Sequence, residues 1–64
     1  MNSFSHRTLM CVESSGMFEA GRSYYCFAEE PTAFWIHAPW LLDTLGVNQV
    51  KVPISSKQKF VLKN

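Results

Sequence analysis

The chain has 64 residues, of which 47% are hydrophobic and 17% are charged, and its formal net charge is +1. A chain of this length forms a single domain with a small core, which excludes a deep substrate cavity, so we expect function on the surface. The nearly neutral charge argues against a strong electrostatic attraction to nucleic acid or to anionic membranes.

Turn-forming residues divide the chain into five short runs that are typical of strands. The first run ends at the turn cluster Ser14-Ser15-Gly16, the second at the turn around Pro31, and the third at Pro39. We therefore predict strands at residues 7–13, 23–29, 33–38, 47–52 and 59–63.

Two connections carry helical signals. Residues 40–45 have apolar side chains at helical rather than alternating spacing, and Gly46 follows them as a typical helix end. Residues 53–56 begin with proline and suit a short 3₁₀ turn. The sequence predicts a small five-stranded antiparallel all-β barrel over residues 7–63, with a short helical turn between strands 3 and 4 and a flexible tail over residues 1–6.

Alternation along the strands predicts which side chains meet in the interior. The predicted core residues are Leu9, Cys11, Tyr24, Cys26, Phe34, Ile36, Val50, Val52, Phe60 and Leu62. Their neighbours are predicted to face outward, and these include Met10, Tyr25, Phe27, Trp35 and Val61. Because so many large side chains would lie at the surface, we expect loops or a partner protein to cover some of them.

Four short motifs occur together along the chain. They are Cys-Val-Glu-Ser-Ser-Gly at 11–16, Gly-Arg-Ser-Tyr at 21–24, Glu-Glu-Pro at 29–31, and Val-Pro-Ile-Ser at 52–55 followed by Phe-Val-Leu at 60–62. This combination resembles the small Src-homology-3-like (SH3-like) barrel proteins that are common in bacteriophage genomes. The resemblance covers residues 7–63 and implies an SH3-like barrel. Phage proteins of this kind often bind and disable one host protein, so it also implies a phage-encoded inhibitor or modulator.

The chain departs from that pattern between strands 3 and 4, where such barrels usually have a tight turn. Residues 38–46 form a longer connection that contains Trp40, Leu41, Leu42 and Leu45. Exposing four large apolar side chains is costly. The connection is therefore expected either to cap one end of the barrel or to dock on a partner.

No residue pattern supports a metal site or catalysis. Structural zinc sites pair ligands two to five residues apart, whereas His6, Cys11, Cys26 and His37 are widely spaced. No nucleophile has a neighbouring base, and the three glycines form no phosphate loop. We predict no enzyme activity, no metal and no cofactor. The two cysteines are read as reduced, buried residues on neighbouring strands, close enough to oxidise in air.

The function predicted is a non-enzymatic protein–protein binding module whose partner is a host protein. Large aromatic and arginine side chains are typical interface anchors. The candidates are Trp40, Leu41, Trp35, Phe27, Tyr25 and Arg22. The alternative is a barrel that binds single-stranded nucleic acid through an aromatic face, with Arg22, Lys51 and Lys57 at its rim. Because an exposed strand edge can pair with a second copy of the chain, we expect a monomer or a weak homodimer.

The chain contains no apolar stretch of the length that a membrane span needs, and its first residues lack the pattern of a secretion signal. We therefore expect a cytoplasmic protein, in the host cytoplasm if it is viral.

Overall fold

A computed structural model of the chain describes residues 4–63. Its five strands are β1 (Arg7–Cys11), β2 (Ser23–Glu29), β3 (Ala33–His37), β4 (Gln49–Pro53) and β5 (Phe60–Leu62). A first 3₁₀ helix (Pro39–Leu41) and a short helix α1 (Leu42–Leu45) join β3 to β4, and a second 3₁₀ helix (Ile54–Lys59) joins β4 to β5. The predicted all-β class, the number of strands and the position of the helical turn are confirmed.

The five strands form one antiparallel sheet in the order β4-β3-β2-β1-β5. The sheet curls around a common interior. Phe34 of β3 and Phe60 of β5 are separated by two strands in this order, yet their ring centroids lie 5.6 Å apart in an edge-to-face contact. The strands at the two ends of the sheet, β4 and β5, are not paired with each other within residues 4–63. The barrel therefore keeps a seam on that side.

The predicted interior is confirmed. Eight of its ten residues are buried, and the other two, Val50 and Leu62, are partly buried and pack against them. Burial of these side chains is the main favourable contribution to folding in a domain this small. The structure adds two rings to this core, Phe4 and Phe18, which are 5% and 8% exposed.

A bulge in β2 was not predicted. The pairing of β2 with β3 shifts between Cys26 and Ala28, so that Cys26 lies opposite Ile36 and Glu29 lies opposite Phe34. The extra residue reverses the alternation and brings residue 29 back to the inner side of the sheet. There the Glu29 carboxylate accepts a 2.9 Å hydrogen bond from Lys57 Nζ.

The prediction of a tail over residues 1–6 is wrong at Phe4. The Phe4 ring packs edge-to-face on Phe34, with 5.5 Å between the centroids, and its backbone N–H donates to Glu29 Oε1 at 2.8 Å. Residue 4 therefore belongs to the domain, because the buried Phe4 ring holds this segment against the barrel. Residues 1–3 of the predicted tail lie outside the described residues.

The two cysteines are buried and reduced, but they do not lie close together. In the pairing of β1 with β2, Cys26 lies opposite Arg7, which is four residues before Cys11. Four residues of strand separate the two positions by about 13 Å, which is beyond the reach of a disulfide. The expectation that they would oxidise together is wrong.

Candidate functional site

The structure does not gather the six predicted partner-binding residues on one surface. Tyr25, Phe27 and Trp35 lie on the outer face of the sheet, and Arg22 lies in the loop before β2. The remaining two, Trp40 and Leu41, belong to the first 3₁₀ helix. The six residues thus lie in three separate parts of the fold.

On the outer face, the aromatic side chains are held by polar neighbours. Tyr25 is 43% exposed, and its hydroxyl lies 3.1 Å from Nδ1 of His6. Trp35 is half-buried, and its Nε1 donates to Glu30 Oε2 at 3.0 Å. The ammonium of Lys51 lies 5.8 Å from the centroid of the Trp35 ring. Trp35 is thus fixed between a carboxylate and a cation.

The three basic residues of the nucleic-acid alternative each have a carboxylate partner. Arg22 pairs with Glu19 at 2.7 Å, Lys57 with Glu29 at 2.9 Å, and Lys51 lies 3.9 Å from Glu30. They are also dispersed. Arg22 precedes β2 and Lys57 contacts its last residue, so roughly 20 Å of strand separates them. No basic groove is assembled from these residues.

The connection between β3 and β4 exposes four large apolar side chains within eight residues. Trp40, Leu42, Leu45 and Val47 are 44%, 53%, 63% and 43% exposed. We call these four residues the connection patch. Residues 38–48 contain a single charged side chain, Asp43, and no lysine or arginine. The connection patch is therefore an apolar surface with little charge.

Local structure fixes the connection patch in place. Pro39 begins the first 3₁₀ helix, where its missing N–H costs nothing. Gly46 ends α1 with a left-handed φ of 71°, and its N–H donates to the carbonyls of Leu41 and Leu42. The chain then returns to β4 through a hydrogen bond from Ala38 N–H to the Asn48 carbonyl at 2.7 Å.

Leu41 is not a surface residue. It is 8% exposed, and with the fully buried Ala38 it anchors the connection to the barrel. Its prediction as a partner-binding residue is corrected, because its side chain is used for packing. The neighbouring Trp40 lies against the ring of Tyr24, with 5.6 Å between centroids, but keeps 44% of its surface exposed. Of the two predicted alternatives, capping of the barrel is seen at Leu41, and docking on a partner stays a prediction for the exposed side chains.

A groove of about 300 Å³ opens at the seam of the barrel. One wall is the loop between β1 and β2, at residues 15–18, and the other is β4 at residues 50–53. We call it the seam groove. Phe60 forms part of its floor, and Ser56 and Lys59 of the second 3₁₀ helix line it as well. Lys59 Nζ donates to Ser15 Oγ at 3.1 Å, which ties this helix to the loop.

The titratable groups form no metal site. Among residues 4–63, no three His, Cys, Asp or Glu side chains are gathered in a way that could hold an ion. Burial raises the pKa of the Cys26 thiol, whose Sγ donates to the Ala28 carbonyl at 3.4 Å. This thiol is held in its neutral form inside the core, where it packs as a small apolar group.

The sequence did not predict the seam groove, and of the four residues of the connection patch it predicted only Trp40 as partner-binding, so that Leu42, Leu45 and Val47 were missed. The groove depends on the loop at residues 15–18, where Ser15 and Phe18 exchange two 3.0 Å backbone hydrogen bonds. This small hairpin directs Phe18 into the core. The signal available in the sequence was an aromatic residue between two glycines, and it did not indicate the direction of the side chain.

No helix among the described residues is long and apolar enough to cross a membrane.

Comparisons of the chain with protein-family models, with curated proteins and with solved structures each returned no match.

Proposed function

We propose that this chain is a non-enzymatic protein-binding module that contacts its partner through the connection patch. The observation that carries the proposal is the exposure of Trp40, Leu42, Leu45 and Val47 on a connection whose backbone is fixed at both ends. A fixed apolar surface loses little entropy on binding, and an exposed tryptophan is a typical anchor.

The charge of the connection patch favours protein over nucleic acid or membrane. Phosphate groups attract lysine and arginine, which residues 38–48 lack, and they repel Asp43. A partner protein with an apolar pocket fits this surface better. Within residues 4–63, no side chain or carbonyl accepts a hydrogen bond from Trp40 Nε1, whereas Trp35 Nε1 is bound to Glu30. The Trp40 side chain has an apolar ring and an N–H donor. A partner that offers an apolar pocket to the ring and a hydrogen-bond acceptor to the N–H would match both.

A non-enzymatic role is part of the proposal. The seam groove is lined by no His, Cys, Asp or Glu, the side chains that most often act as acids and bases. The thiols of Cys11 and Cys26 are enclosed in the core. The resemblance to phage barrels extends the proposal to a host protein as the partner and to an inhibitor or modulator as the role, in the host cytoplasm.

The first experiment is affinity purification from host lysate with the immobilised chain, followed by mass spectrometry and by calorimetry with the purified partner. We expect Trp40→Ala to weaken binding by about 30-fold or more, the effect of truncating an interface anchor. Because Trp40 also contacts Tyr24, Leu45→Ala serves as the second variant, since Leu45 is 63% exposed and its loss leaves the core intact. Val61→Ala, at an exposed position of β5 that is not part of the connection patch, is the matched control.

Three outcomes contradict the proposal. A partner bound equally well by Trp40→Ala and Leu45→Ala removes the connection patch as the contact surface. A loss of binding in Trp35→Ala alone moves the contact to the outer face of the sheet. A capture that disappears after nuclease treatment, or an affinity for oligonucleotides that falls steeply with salt, favours the nucleic-acid alternative.

A further inference from the structure

The seam groove borders the edge of β4 rather than one of its faces. Residues 50–53 are four consecutive positions of one strand, and all of them line the groove. Successive side chains of a strand point to opposite faces, so a cavity on one face is lined by every second residue. A cavity that touches consecutive residues therefore lies beside the strand, at the edge to which the backbone N–H and carbonyl groups of the strand point.

The pairing of β3 with β4 identifies the backbone groups at this edge. Ala38 N–H donates to the Asn48 carbonyl, and Ile54 N–H donates to the Thr32 carbonyl. These hydrogen-bonded pairs alternate along the ladder, so the backbone groups of Val50 and Val52 point to β3. The N–H and carbonyl groups of the intervening residues, Gln49 and Lys51, point away from β3. No strand among residues 4–63 pairs with them there.

The side chains around this edge define the chemistry of an occupant. Phe18, Val52 and Phe60 form the buried floor of the groove, and Met17 and Val50 are more exposed apolar residues at its walls. The groove is lined by two lysines and by no acidic side chain. Lys51 is directed to Glu30 and Trp35, so Lys59 is the cation that an occupant meets. An extended strand with apolar residues on one side and carboxylates on the other complements the apolar walls and the Lys59 ammonium group.

We infer that the seam groove is a strand-addition site that takes an extended acidic segment of a partner protein. The segment pairs with β4 through the backbone groups of Gln49 and Lys51. Its apolar side chains cover Met17 and Val50, and its carboxylates lie near the ammonium group of Lys59. The seam groove shares no residue with the connection patch, so this site goes beyond the proposed function.

A second copy of the chain fits the edge less well. Two β4 strands related by a two-fold axis pair antiparallel, with Lys51 at the centre of each five-residue strand. The two Lys51 ammonium groups would then meet, which is destabilising for residues opposite each other on neighbouring strands. Pro53, at the end of the strand, has no N–H to contribute.

The test uses two synthetic heptapeptides and the ¹⁵N-labelled chain. One peptide alternates glutamate with valine, and the other alternates lysine with valine. We expect the glutamate peptide to shift the amide resonances of Gln49, Lys51 and residues 15–18, with an affinity that decreases as salt is added. The lysine peptide is expected to leave these resonances unchanged.

Two pairs of variants separate backbone pairing from charge. Gln49→Pro removes an outward N–H without touching the bonds to β3 and should abolish binding, whereas Gln49→Thr should retain it. Lys59→Glu should weaken binding of the glutamate peptide by about tenfold. Lys63→Glu is the matched control, because Lys63 is an exposed lysine outside the groove whose ammonium contacts Ser23. Each variant is used only if its spectrum retains the dispersion of the folded chain.

The inference is overturned if the glutamate peptide shifts no resonance or shifts only residues outside the groove. It is equally overturned if Gln49→Pro and Gln49→Thr bind the glutamate peptide alike, or if Lys59→Glu leaves the affinity unchanged. Resonances of β4 that move on dilution without peptide would instead identify a second copy of the chain as the occupant. Because Trp40 is not in the seam groove, none of these results decides whether the connection patch binds a protein.

Discussion

Phe4 links the start of the chain to three separate parts of the barrel. Its ring packs on Phe34 of β3, its N–H donates to Glu29 at the end of β2, and the ammonium of Lys57 lies 4.6 Å from its ring centroid. Lys57 also donates to the Glu29 carboxylate. One apolar side chain and one ion pair thus close the end of the barrel where β2 and the second 3₁₀ helix meet.

Replacing Phe4 by alanine should therefore cost stability although the residue lies near the start of the chain. We expect Phe4→Ala to lower the free energy of unfolding by about 3 kcal/mol, as for other buried phenylalanines. Urea denaturation followed by tryptophan fluorescence measures this change. The control is Val61→Ala, at a site 41% exposed, with an expected loss below about 1 kcal/mol. Equal losses in the two variants would show that Phe4 contributes no more than a surface residue.

Cys26 gives the domain a pH dependence in alkaline solution. Burial raises the pKa of this thiol above its ordinary value of 9.0. Well below pH 9.0 the thiol is neutral in both the folded and the unfolded chain, so it adds no pH dependence there. Above that pH the unfolded chain ionises first, so the free energy of unfolding decreases as pH rises towards the folded pKa.

The measurement compares the wild type with Cys26→Ala in urea at a series of pH values from neutral to alkaline. The variant is less stable overall because it loses a buried side chain, but its stability should fall less steeply above pH 9.0. The difference between the two slopes isolates the contribution of Cys26, because all other residues are the same in the two proteins. Parallel curves would contradict the assignment of the shift to burial of this thiol.

At the scale of elements, the connection between β3 and β4 depends on the backbone conformation of Gly46. This residue ends α1 with a φ of 71°, and no atom lies within 4 Å of the position a Cβ would take. A substitution therefore adds conformational strain without a clash. The left-handed conformation costs about 1 kcal/mol for alanine and less for asparagine.

We expect Gly46→Ala to lower the free energy of unfolding by about 1 kcal/mol and Gly46→Asn by about half of that. The ratio between the two variants is informative, because asparagine tolerates the left-handed conformation and alanine does not. Urea denaturation of the three proteins measures both values. If Gly46→Ala is as stable as the wild type, α1 does not need this cap, and the backbone of the connection patch is less constrained than its hydrogen bonds indicate.

The strands and helices also show which features can be predicted from the sequence and which cannot. β2 was predicted at its observed bounds because its aromatic run lies between an irregular link and Pro31. The bulge at Cys26 was missed, since alternation continues formally through it and only the pairing with β3 reveals the shift. Within the connection, a single helical turn is too short for its period to separate the buried Leu41 from the exposed Leu42. That assignment needs the barrel against which the turn packs.

Over the whole molecule, the unpredicted features depend on contacts between distant parts of the chain. Lys57 and Glu29 are 28 residues apart, and Lys59 and Ser15 are 44 residues apart. Alternation within one strand carries no information about such pairs. The pairing of Lys57 with Glu29, which weakens the nucleic-acid alternative, and the seam beside the groove both arise from the curling of the whole sheet.

The closing strand β5 should be essential for folding. It pairs with β1 through Leu9, Met10 and Cys11, and its Phe60 ring contacts those of Phe18 and Phe34 at 5.3 Å and 5.6 Å. Domains of 64 residues are stabilised by about 3–10 kcal/mol in total. Loss of one buried phenylalanine alone costs about 3–5 kcal/mol.

Deletion of residues 60–64 removes this ring and the whole β1–β5 pairing, and also exposes the apolar floor beneath them. We expect the shortened chain to lose near-ultraviolet circular dichroism and the dispersion of its amide resonances at 25 °C. The matched control ends after Leu62, which keeps β5 and should remain folded. A dispersed spectrum for the chain that ends at Lys59 would mean that β1 to β4 form a stable sheet by themselves. In that case the curled sheet closed by Phe60 would not be the unit of folding, and the seam groove would lose its structural basis.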